Sequence, residues 1–376
     1  MKLNISTLEY LSAYDEIIKY KLVITNFLSM KPQIIKIQRI IIIVVFIIFC
    51  FNWQPKTWAA TNTIPAIDKN DNKSLAPAVL PGNGITQYDF FYAGEGKVQN
   101  MYIVRNGKIT WTYHDTLSKG EISDAVMLSN GNILFAHQHG VTEITQDKKV
   151  IWNYDAPQGC KIHTAQPIGK DNVLFIQNGN PAKLLVVNKT SGKFLKEWVL
   201  PVGNPKGVHG QFRNARLTSK GTLLVAHMDM GKVCEYDENG KELLSINIPS
   251  PWSAVELSNG NILVCSNNGF VQELNRKGEK VWEFIHADAP EFTLYGPQKA
   301  IRLPNGNTIF NSWFNQWSGT VDVNNAPVQF IEVTPDKKIV WALRSWVEPV
   351  NLGPSTTVQL LNDSANTENV SFGNIN

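Results

Sequence analysis

The sequence predicts an all-β protein, a six-bladed β-propeller made of four-stranded antiparallel blades. Three observations predict this fold: a four-strand unit, its recurrence at a period of about 40 residues, and two half-units at the ends of the chain. The unit is clearest from Trp252 to Phe284, where turns containing Asn-Gly or Lys-Gly separate four apolar runs. These dipeptides favour hairpins because both central residues tolerate positive φ. Four strands joined by three hairpins form one sheet.

The first turn and the last strand of this unit recur along the chain. The turn is Ser-Asn-Gly-Asn at 129–132 and 258–261, and Pro-Asn-Gly-Asn at 304–307. The last strand carries a tryptophan at one repeat position in five units, namely Trp111, Trp152, Trp198, Trp282 and Trp341. Because these tryptophans recur at one position of the repeat, we expect them to pack between blades.

The two ends of the repeat region complement each other. Residues 89–92 resemble a second strand that has no first strand before it, and residues 356–363 resemble a first strand with its turn and nothing after it. We therefore expect the C-terminal strand to pair with the first blade, which leaves six blades. Closing the ring in this way protects sheet edges that would otherwise pair with other chains.

The chain divides into five predicted segments: an upstream extension (1–29), a signal peptide (30–60), a flexible linker (61–84), the propeller (85–363) and a disordered tail (364–376). Basic residues after Met30 precede an apolar run from Ile40 to Phe51 and small residues near Ala60, which is typical of a signal peptide. The run is shorter than the roughly 20 residues of a spanning helix. We expect a periplasmic or extracellular protein with no stable membrane span after cleavage, or a membrane-anchored one if the segment is retained.

The charge of the chain limits its partners. A net charge of +3 over 376 residues, with no basic stripe between aromatic residues, argues against nucleic-acid binding. The remaining partners are a small-molecule or carbohydrate ligand and, as an alternative, another protein. Cleavage would leave Cys160, Cys234 and Cys265, and an odd count in an exported protein predicts no required disulfide.

The predicted site lies on one face of the ring. In a propeller, the loops that enter the innermost strands and the loops between second and third strands share a face, and function usually occupies such loops. Five of the seven histidines fall at these positions. The candidate catalytic residues are His209, Arg213, His163 and His227. The candidate ligand-binding residues are His137, His139, Asn214, Trp252, Lys299 and Trp313.

These residues support three alternative interpretations. Histidine and carboxylate side chains suit a divalent cation, although no compact ligand motif assigns any residue to a metal. A histidine nucleophile or base could act beside Arg213 and Asn214, or Lys299, which would hold an anionic substrate. The third interpretation is that the side chains line a wet channel and bond to loop backbone.

The repeats resemble a known superfamily. The unit with Asn-Gly-Asn, a later glutamate and a Gly-Lys turn before tryptophan is similar to the repeats of quinoprotein-like (PQQ-like) propellers. Leu303 to Leu343 looks like the bacterial arylsulfotransferase family. That resemblance implies six blades and sulfate transfer through a covalent sulfohistidine aided by arginine and asparagine, and His209 with Arg213 and Asn214 is the nearest match.

These observations together predict an exported propeller that binds a small or carbohydrate-like ligand on its histidine-rich channel face. The alternatives are an arylsulfotransferase-like or other histidine-based enzyme, a lyase or hydrolase, and a protein-interaction scaffold. The sequence assigns no cofactor. A divalent metal ion or PQQ is a possible cofactor that no identified residue supports.

Overall fold

The computed structural model describes residues 79–96, 99–115, 121–316, 319–322, 325–348, 350–361 and 368–375. The predicted extension, the signal peptide and most of the linker lie outside these ranges, so export stays a prediction. Within the described ranges, no helix is long and apolar enough to cross a membrane.

The described residues form 24 strands in six four-stranded antiparallel sheets, which are the blades of a propeller. The strands of blade 1 are β1 (Phe90–Gly94), β2 (Asn100–Arg105), β3 (Lys108–His114) and the C-terminal β24 (Thr357–Leu360). Blade 2 has β4 (Asp124–Met127), β5 (Ile133–Ala136), β6 (Gly140–Ile144) and β7 (Val150–Asp155). Blade 3 has β8 (Lys161–Ile168), β9 (Asn172–Asn178), β10 (Ala182–Asn188) and β11 (Phe194–Leu200).

The second half of the ring follows the same plan. Blade 4 has β12 (Phe212–Leu217), β13 (Leu223–His227), β14 (Lys232–Tyr236) and β15 (Glu242–Asn247). Blade 5 has β16 (Pro251–Glu256), β17 (Ile262–Ser266), β18 (Phe270–Leu274) and β19 (Lys280–Ile285). Blade 6 has β20 (Ala300–Arg302), β21 (Thr308–Asn311), β22 (Phe330–Val333) and β23 (Ile339–Leu343).

The predicted closure of the ring is confirmed. Strand β24 pairs antiparallel with β1, so that Leu360 lies opposite Phe90 and Thr357 lies opposite Ala93. The order of blade 1 is β24-β1-β2-β3, which makes the last strand of the chain the innermost strand of the first blade. The two ends of the propeller are thereby joined by hydrogen bonds, and β1 is not left as an open edge.

The recurring Asn-Gly-Asn turn has a structural role in the three blades that carry it, blades 2, 5 and 6. The glycine takes positive φ, 86° at Gly131 and 82° at Gly260, which side chains with a Cβ rarely adopt. The second asparagine of the turn donates to a glutamate on the third strand, as Asn261 Nδ2 does to Glu273 Oε1 at 2.7 Å. The same bond joins Asn307 to Glu332 at 2.7 Å. The Asn-Gly-Asn and Glu positions of the repeat therefore stabilise hairpins.

The recurring tryptophans pack between blades as expected. Trp282 of blade 5 packs with Phe310 and Ile331 of blade 6, and its Nε1 donates to the carbonyl of Pro335 at 2.8 Å. Trp341 is fully buried against residues of blade 1. The indoles of Trp282 and Trp341 each cover apolar area from the next blade while the N–H donates to a backbone carbonyl, which is how a large amphipathic ring is best buried.

The predicted boundaries of the propeller need correction at both ends. Phe372, which was assigned to a disordered tail, is fully buried in the core shared by blades 3 and 4. The nearby Glu368 accepts from the backbone N–H of Ser129 at 2.6 Å. The tail prediction was therefore wrong over residues 368–375, because an aromatic residue there fills a gap between blades. In the predicted linker, Pro81 accepts a backbone hydrogen bond from Ala342.

Candidate functional site

The innermost strands β24, β4, β8, β12, β16 and β20 surround the central channel, and charged side chains on or near them form two groups. We call the first group the mouth cluster; it consists of Glu95, Glu121, His163, His209 and Arg213. We call the second group the channel network; it consists of Asp124, Arg216, Lys299, Thr164 and Thr357. The two groups differ in how completely their polar atoms are bonded.

Bulges position the side chains of the mouth cluster. The pairing of β8 with β9 shifts register between Ile162 and Ala165, and His163 lies within that shift. The pairing of β12 with β13 shifts between Phe212 and Ala215, which contains Arg213. Strand β16 shifts in the same way around Trp252. A bulge re-aims a side chain that regular alternation would point elsewhere, and three successive blades use one at the same end of the innermost strand.

Glu121 is the centre of the mouth cluster. Its Oε1 lies 2.5 Å from Arg213 Nη1 and 2.8 Å from His163 Nδ1. Ser123 Oγ donates to the same oxygen at 3.2 Å. Glu121, His163 and Arg213 are all buried, and they belong to blades 2, 3 and 4. A neutral imidazole beside a carboxylate carries its proton on the facing nitrogen, so Nε2 of His163 keeps its lone pair.

His209 lies at the exposed edge of this cluster. It sits on a single 3₁₀ turn, Val208–Gly210, and its side chain is 46% exposed. Its ring meets the ring of His163 edge-on with 4.9 Å between centroids. Lys161 Nζ lies 3.2 Å from His209 Nδ1 and donates to it. His209 is therefore the member of the cluster that a ligand from solvent reaches first.

The protonation states follow from burial and from Arg213. Burial, with the positive charge of Arg213, lowers the pKa of His163 to about 4. The same two causes lower the pKa of His209 to about 3. Burial alone would raise the pKa of Glu121, but Arg213 and His163 hold it well below its usual value. At neutral pH the cluster therefore contains a carboxylate, a guanidinium and two neutral imidazoles, and neutral imidazoles act as bases, nucleophiles or ligands.

Two tryptophans support Arg213. Its guanidinium lies 4.7 Å from the ring centroid of Trp252, which is the distance of a cation–π contact. The rings of Trp252 and Trp313 have centroids 6.1 Å apart. Trp252 is only 6% exposed. The sequence predicted that both indoles contact a ligand. In the structure, Trp252 packs against the guanidinium of Arg213 and holds it in place.

Several buried polar atoms of the cluster and of Trp313 have no hydrogen-bond partner within the described part of the chain. They are Glu95 Oε2, His163 Nε2, Arg213 Nε and Trp313 Nε1. Buried polar groups in folded proteins are nearly always bonded, and each exception calls for an explanation. Two of these atoms are donors and the oxygen and imidazole nitrogen are acceptors, so a ligand with both kinds of group would satisfy them.

In the channel network, in contrast, every buried side-chain polar atom has a hydrogen-bond partner among the described residues. Asp124 accepts from Arg216 Nη2 at 2.7 Å, from Thr164 Oγ1 at 3.0 Å and from Lys299. Lys299 Nζ also donates to Thr357 Oγ1 at 2.8 Å. Burial lowers the pKa of Lys299 to about 8. Burial would raise the pKa of Asp124, but Arg216 and Lys299 lower it below its usual value.

One of the predicted ligand-binding residues belongs to this network, and a second one contacts it. Lys299 is bonded to Asp124, and Asn214 Nδ2 lies 3.4 Å from Asp124 Oδ2. Both side chains have partners within the protein, so we do not include them in the mouth cluster. They lie on the channel, as expected for their positions at the innermost strands.

Three predicted histidines lie apart from the mouth cluster in the contacts of the described residues. His227 Nε2 is 2.9 Å from the hydroxyl of Tyr236, and its ring packs edge-on against Phe212. His137 is bonded to Thr142 Oγ1 at 2.9 Å and is buried. His139 is exposed. Of the candidate catalytic residues, the structure brings together His163, His209 and Arg213.

Sequence analysis missed three residues of this region: Glu95, Glu121 and Lys161. Glu121 precedes the Ser123-Asp124 pair that enters β4, and Lys161 precedes His163 at the start of β8. Glu95 follows the second strand of blade 1, where His137 stands in blade 2. Comparing equivalent positions between blades is the signal that could have identified Glu95.

A metal ion is the first chemistry that such a cluster suggests. Ligand atoms of Glu121, His163 and His209 lie within 4.8 Å of one another, and two histidines with a carboxylate are a known set for divalent metals. Arg213 already contacts the carboxylate oxygen at 2.5 Å, and its positive charge opposes a cation there. The charges of the cluster therefore favour an anion over a metal ion.

Comparison with known proteins supports the fold. No protein-family model matches the chain, and no curated protein matches it. A solved protein of unknown function from Bacteroides caccae is 26% identical with a TM-score of 0.62, and the match covers 72% of this chain and 98% of that one. Virginiamycin B lyase from Staphylococcus aureus is 14% identical with a TM-score of 0.47, and the match covers 69% of this chain and 85% of the lyase. The likeness to the lyase is one of overall fold only.

Proposed function

We propose that this protein is an exported propeller that binds a small, anionic, carbohydrate-like ligand at the mouth cluster. The observation that carries the proposal is a set of buried donors and acceptors that have no partner in the described part of the chain and are grouped with Arg213 and Lys161. Sites for small molecules commonly combine a few convergent polar groups with aromatic walls. Here those groups come from blades 1, 3, 4 and 6.

The charges support an anion. Arg213 and Lys161 are cationic, whereas Glu121 is ionised and both histidines are neutral at pH 7. One of the two cations is paired with Glu121, and Lys161 faces the half-exposed His209. An incoming carboxylate or sulfate is therefore attracted to the mouth, and partial burial strengthens that attraction relative to bulk water.

The mixture of donors and acceptors supports a hydroxyl-rich ligand. A sugar hydroxyl both donates and accepts, so one ring can bond Arg213 Nε or Trp313 Nε1 and also His163 Nε2 or Glu95 Oε2. A purely apolar ligand would leave these buried atoms unpaired, which costs free energy. An acidic sugar meets both requirements, because it carries the charge and the hydroxyls together.

The proposal is tested by calorimetry and thermal shift on the full-length chain with glucuronate and, as a neutral match, glucose. We expect glucuronate to bind and to raise the melting temperature, and glucose to do neither. Lys161→Ala and His209→Ala should each weaken glucuronate binding. His139→Ala is the matched control, since His139 is exposed and separate from the cluster. Equal responses to both sugars, or to neither, would contradict the proposal.

A second candidate function is histidine-based group transfer, the activity implied by the arylsulfotransferase resemblance. The observation that favours it is a neutral, half-exposed His209 close to a guanidinium. In sulfuryl transfer, a histidine nitrogen would bond to sulfur as the aryl oxide leaves, and a phenol would then accept the sulfuryl group. Incubation with 4-nitrophenyl sulfate and phenol should release nitrophenolate only with His209 present. A protein-interaction scaffold would show neither ligand binding nor turnover.

A further inference from the structure

Gln298 is a buried side chain on blade 6 that the contacts of the propeller do not explain. It is 1% exposed, and neither its Nε2 nor its Oε1 has a hydrogen-bond partner among the described residues. Within that part of the chain, it is the only side chain with two buried polar atoms left unbonded. Burying an amide without hydrogen bonds costs free energy, so Gln298 requires an explanation.

The repeat position of Gln298 relates it to the mouth cluster. Five blades enter the channel with two residues followed by an alanine, and the first of the two is Ser123, His163, Arg213, Trp252 or Gln298. Gln298 is therefore the blade 6 counterpart of His163 and Arg213. Because blades 3 and 6 lie opposite each other in a six-bladed ring, Gln298 stands across the channel mouth from His163.

The backbone at Gln298 has the same irregularity as the inner strands of blades 3 and 4. Gly296 bridges to Trp313, and Ala300 pairs with Phe310, so three residues on the β20 side oppose two on the β21 side. The inner strands of blades 3 and 4 also contain one extra residue at this place. Such a bulge re-aims a side chain, and blade 6 therefore presents Gln298 as blades 3 and 4 present their mouth residues.

Asn311 holds this bulge in place. Its Oδ1 accepts from the backbone N–H of Gln298 at 2.9 Å and from that of Lys299 at 2.7 Å. Its Nδ2 donates to the carbonyl of Ser355 on the neighbouring blade 1 at 2.7 Å. The backbone of Gln298 is thus fixed before any ligand arrives, and a group that is fixed in advance binds with a smaller entropic cost.

Two indoles connect Gln298 with Arg213. Trp252 lies against the guanidinium with 4.7 Å to its ring centroid, and the ring of Trp313 follows at 6.1 Å from that of Trp252. The backbone N–H of Trp313 donates at 3.2 Å to Gly296, two residues before Gln298. Trp313 is partly exposed. An aromatic wall that solvent reaches therefore runs from the cationic side of the mouth to the amide.

We propose that Gln298 binds two neighbouring hydroxyl groups of the ligand, while Arg213 and Lys161 bind its anionic end. The inference rests on the proposed ligand site and assigns the residue that selects the sugar part. An amide carries an acceptor and donors side by side, so one hydroxyl donates to Oε1 and its neighbour accepts from Nε2.

The same chemistry assigns the anionic end of the ligand to the other side of the mouth. A carboxylate or a sulfate only accepts hydrogen bonds, so it would leave Oε1 of Gln298 unbonded. A buried site that is built to bond hydroxyl groups rejects an analogue that lacks them, because its own polar atoms then stay unpaired. Gln298 therefore contributes specificity for a sugar, whereas Arg213 and Lys161 contribute attraction for the charge.

The first test uses the full-length protein without any ligand and compares two buried glutamines of blade 6. The amide of Gln329 donates to the carbonyls of Ser345 at 2.8 Å and Gly353 at 3.0 Å, and accepts from the N–H of Ser345 at 2.6 Å. Methionine is unbranched like glutamine but has no amide. Gln329→Met should lower the melting temperature, because it leaves those backbone groups unpaired. Gln298→Met should leave it unchanged or raise it, since no bond is lost.

The opposite result is equally clear. If Gln298→Met lowers the melting temperature as much as Gln329→Met does, the amide of Gln298 is bonded within the protein and the inference is wrong. This comparison involves no ligand, so its outcome does not depend on whether glucuronate binds.

The second test measures glucuronate affinity by calorimetry at low and high salt. Gln298→Met should weaken binding by about tenfold to a hundredfold, which corresponds to two lost hydrogen bonds, whereas Gln329→Met should bind as the wild type does. Because the amide is neutral, the loss in Gln298→Met should be the same at both salt concentrations. The loss in Lys161→Ala should shrink at high salt, where charge interactions are screened.

Each result of the second test has a separate meaning. If Gln298→Met and the wild type bind glucuronate equally well, this inference is overturned while the ligand proposal stands. A loss in Gln298→Met that shrinks with salt would show that Gln298 acts on the anionic end, which also overturns it. If glucuronate does not bind the wild type, the ligand proposal fails and the role of Gln298 fails with it.

Discussion

The mouth cluster and the channel network are built from the same kinds of residue, yet their bonding is opposite. In the channel network, Asp124 accepts from Arg216, Lys299, Thr164 and the backbone of Ala165. At or beside the mouth cluster, four buried atoms have no hydrogen-bond partner among the described residues. A buried ion pair whose lone pairs and protons are all used stabilises one arrangement of the chain. A buried cluster with unused atoms is where the proposed ligand would complete the bonding.

The two regions also connect the ring differently. The channel network joins blade 2 through Asp124, blade 4 through Arg216, blade 6 through Lys299 and blade 1 through Thr357. It therefore crosses the channel and links blade 2 with blades 4 and 6, which are not its neighbours in the ring. The mouth cluster joins neighbouring blades 1 to 4 at one end of the channel. The predictions below test whether one region serves stability and the other binding.

The largest effect is expected for Asp124→Asn. Removing the carboxylate leaves Arg216 and Lys299 buried without their counter-ion, and breaking a buried pair in this way costs about 3–5 kcal/mol. Urea unfolding should show this loss in the free energy of unfolding. Asp171→Asn at an exposed position is the matched control and should change it little. A near-neutral Asp124→Asn would mean that the network does not stabilise the ring.

A smaller effect is expected from acid. The pKa of His163 is about 4 in the folded protein and about 6.5 when unfolded, so between these values the unfolded chain binds a proton that the folded one excludes. Stability should therefore fall as pH drops from 6.5 to 4, by up to about 3 kcal/mol from this residue. His163→Gln should flatten the slope of unfolding free energy against pH. An unchanged slope would show that His163 is protonated in the folded protein.

Thr357→Val tests one bond of the channel network. The substitution keeps the shape of the side chain but removes the hydroxyl that accepts from Lys299 at 2.8 Å. Hydrogen bonds to charged groups contribute about 1.5–3 kcal/mol, so chemical denaturation should show a loss of that order. Thr356 lies next to Thr357 but donates to the carbonyl of Ile122. The loss of stability from Thr356→Val should therefore be the same in the wild type and in Lys299→Met, whereas the loss from Thr357→Val should disappear in Lys299→Met. A loss from Thr357→Val that persists in Lys299→Met would contradict the assigned contact.

The smallest effect on stability is expected for His209→Ala. Its side chain is about half exposed, and surface substitutions of this kind usually change stability by less than about 0.5 kcal/mol. Glucuronate binding should nevertheless weaken, as measured by calorimetry under the same conditions. If His209→Ala destabilises the protein as strongly as Asp124→Asn, the contrast between the two regions is wrong.

The architecture of the propeller was predictable because its signals are local. Asn-Gly turns, period-two strands and a tryptophan in five of the six units repeat along the chain, and each depends on the conformation of a few neighbouring residues. Ring closure followed from counting half-units at the two ends, and β24 pairs with β1 as that count required. Phe372 was misassigned because its burial depends on a gap between blades 3 and 4, which no local pattern describes.

The candidate site was predictable only in part. The sequence alone predicted that His163, His209, His227 and Arg213 stand at loops or strand ends on one face of a propeller. The tertiary structure decided that His227 packs against Phe212, while bulges in β8 and β12 place His163 and Arg213 around Glu121. The physical reason is that a one-residue register shift reverses the direction of a side chain, and such shifts depend on packing between distant strands.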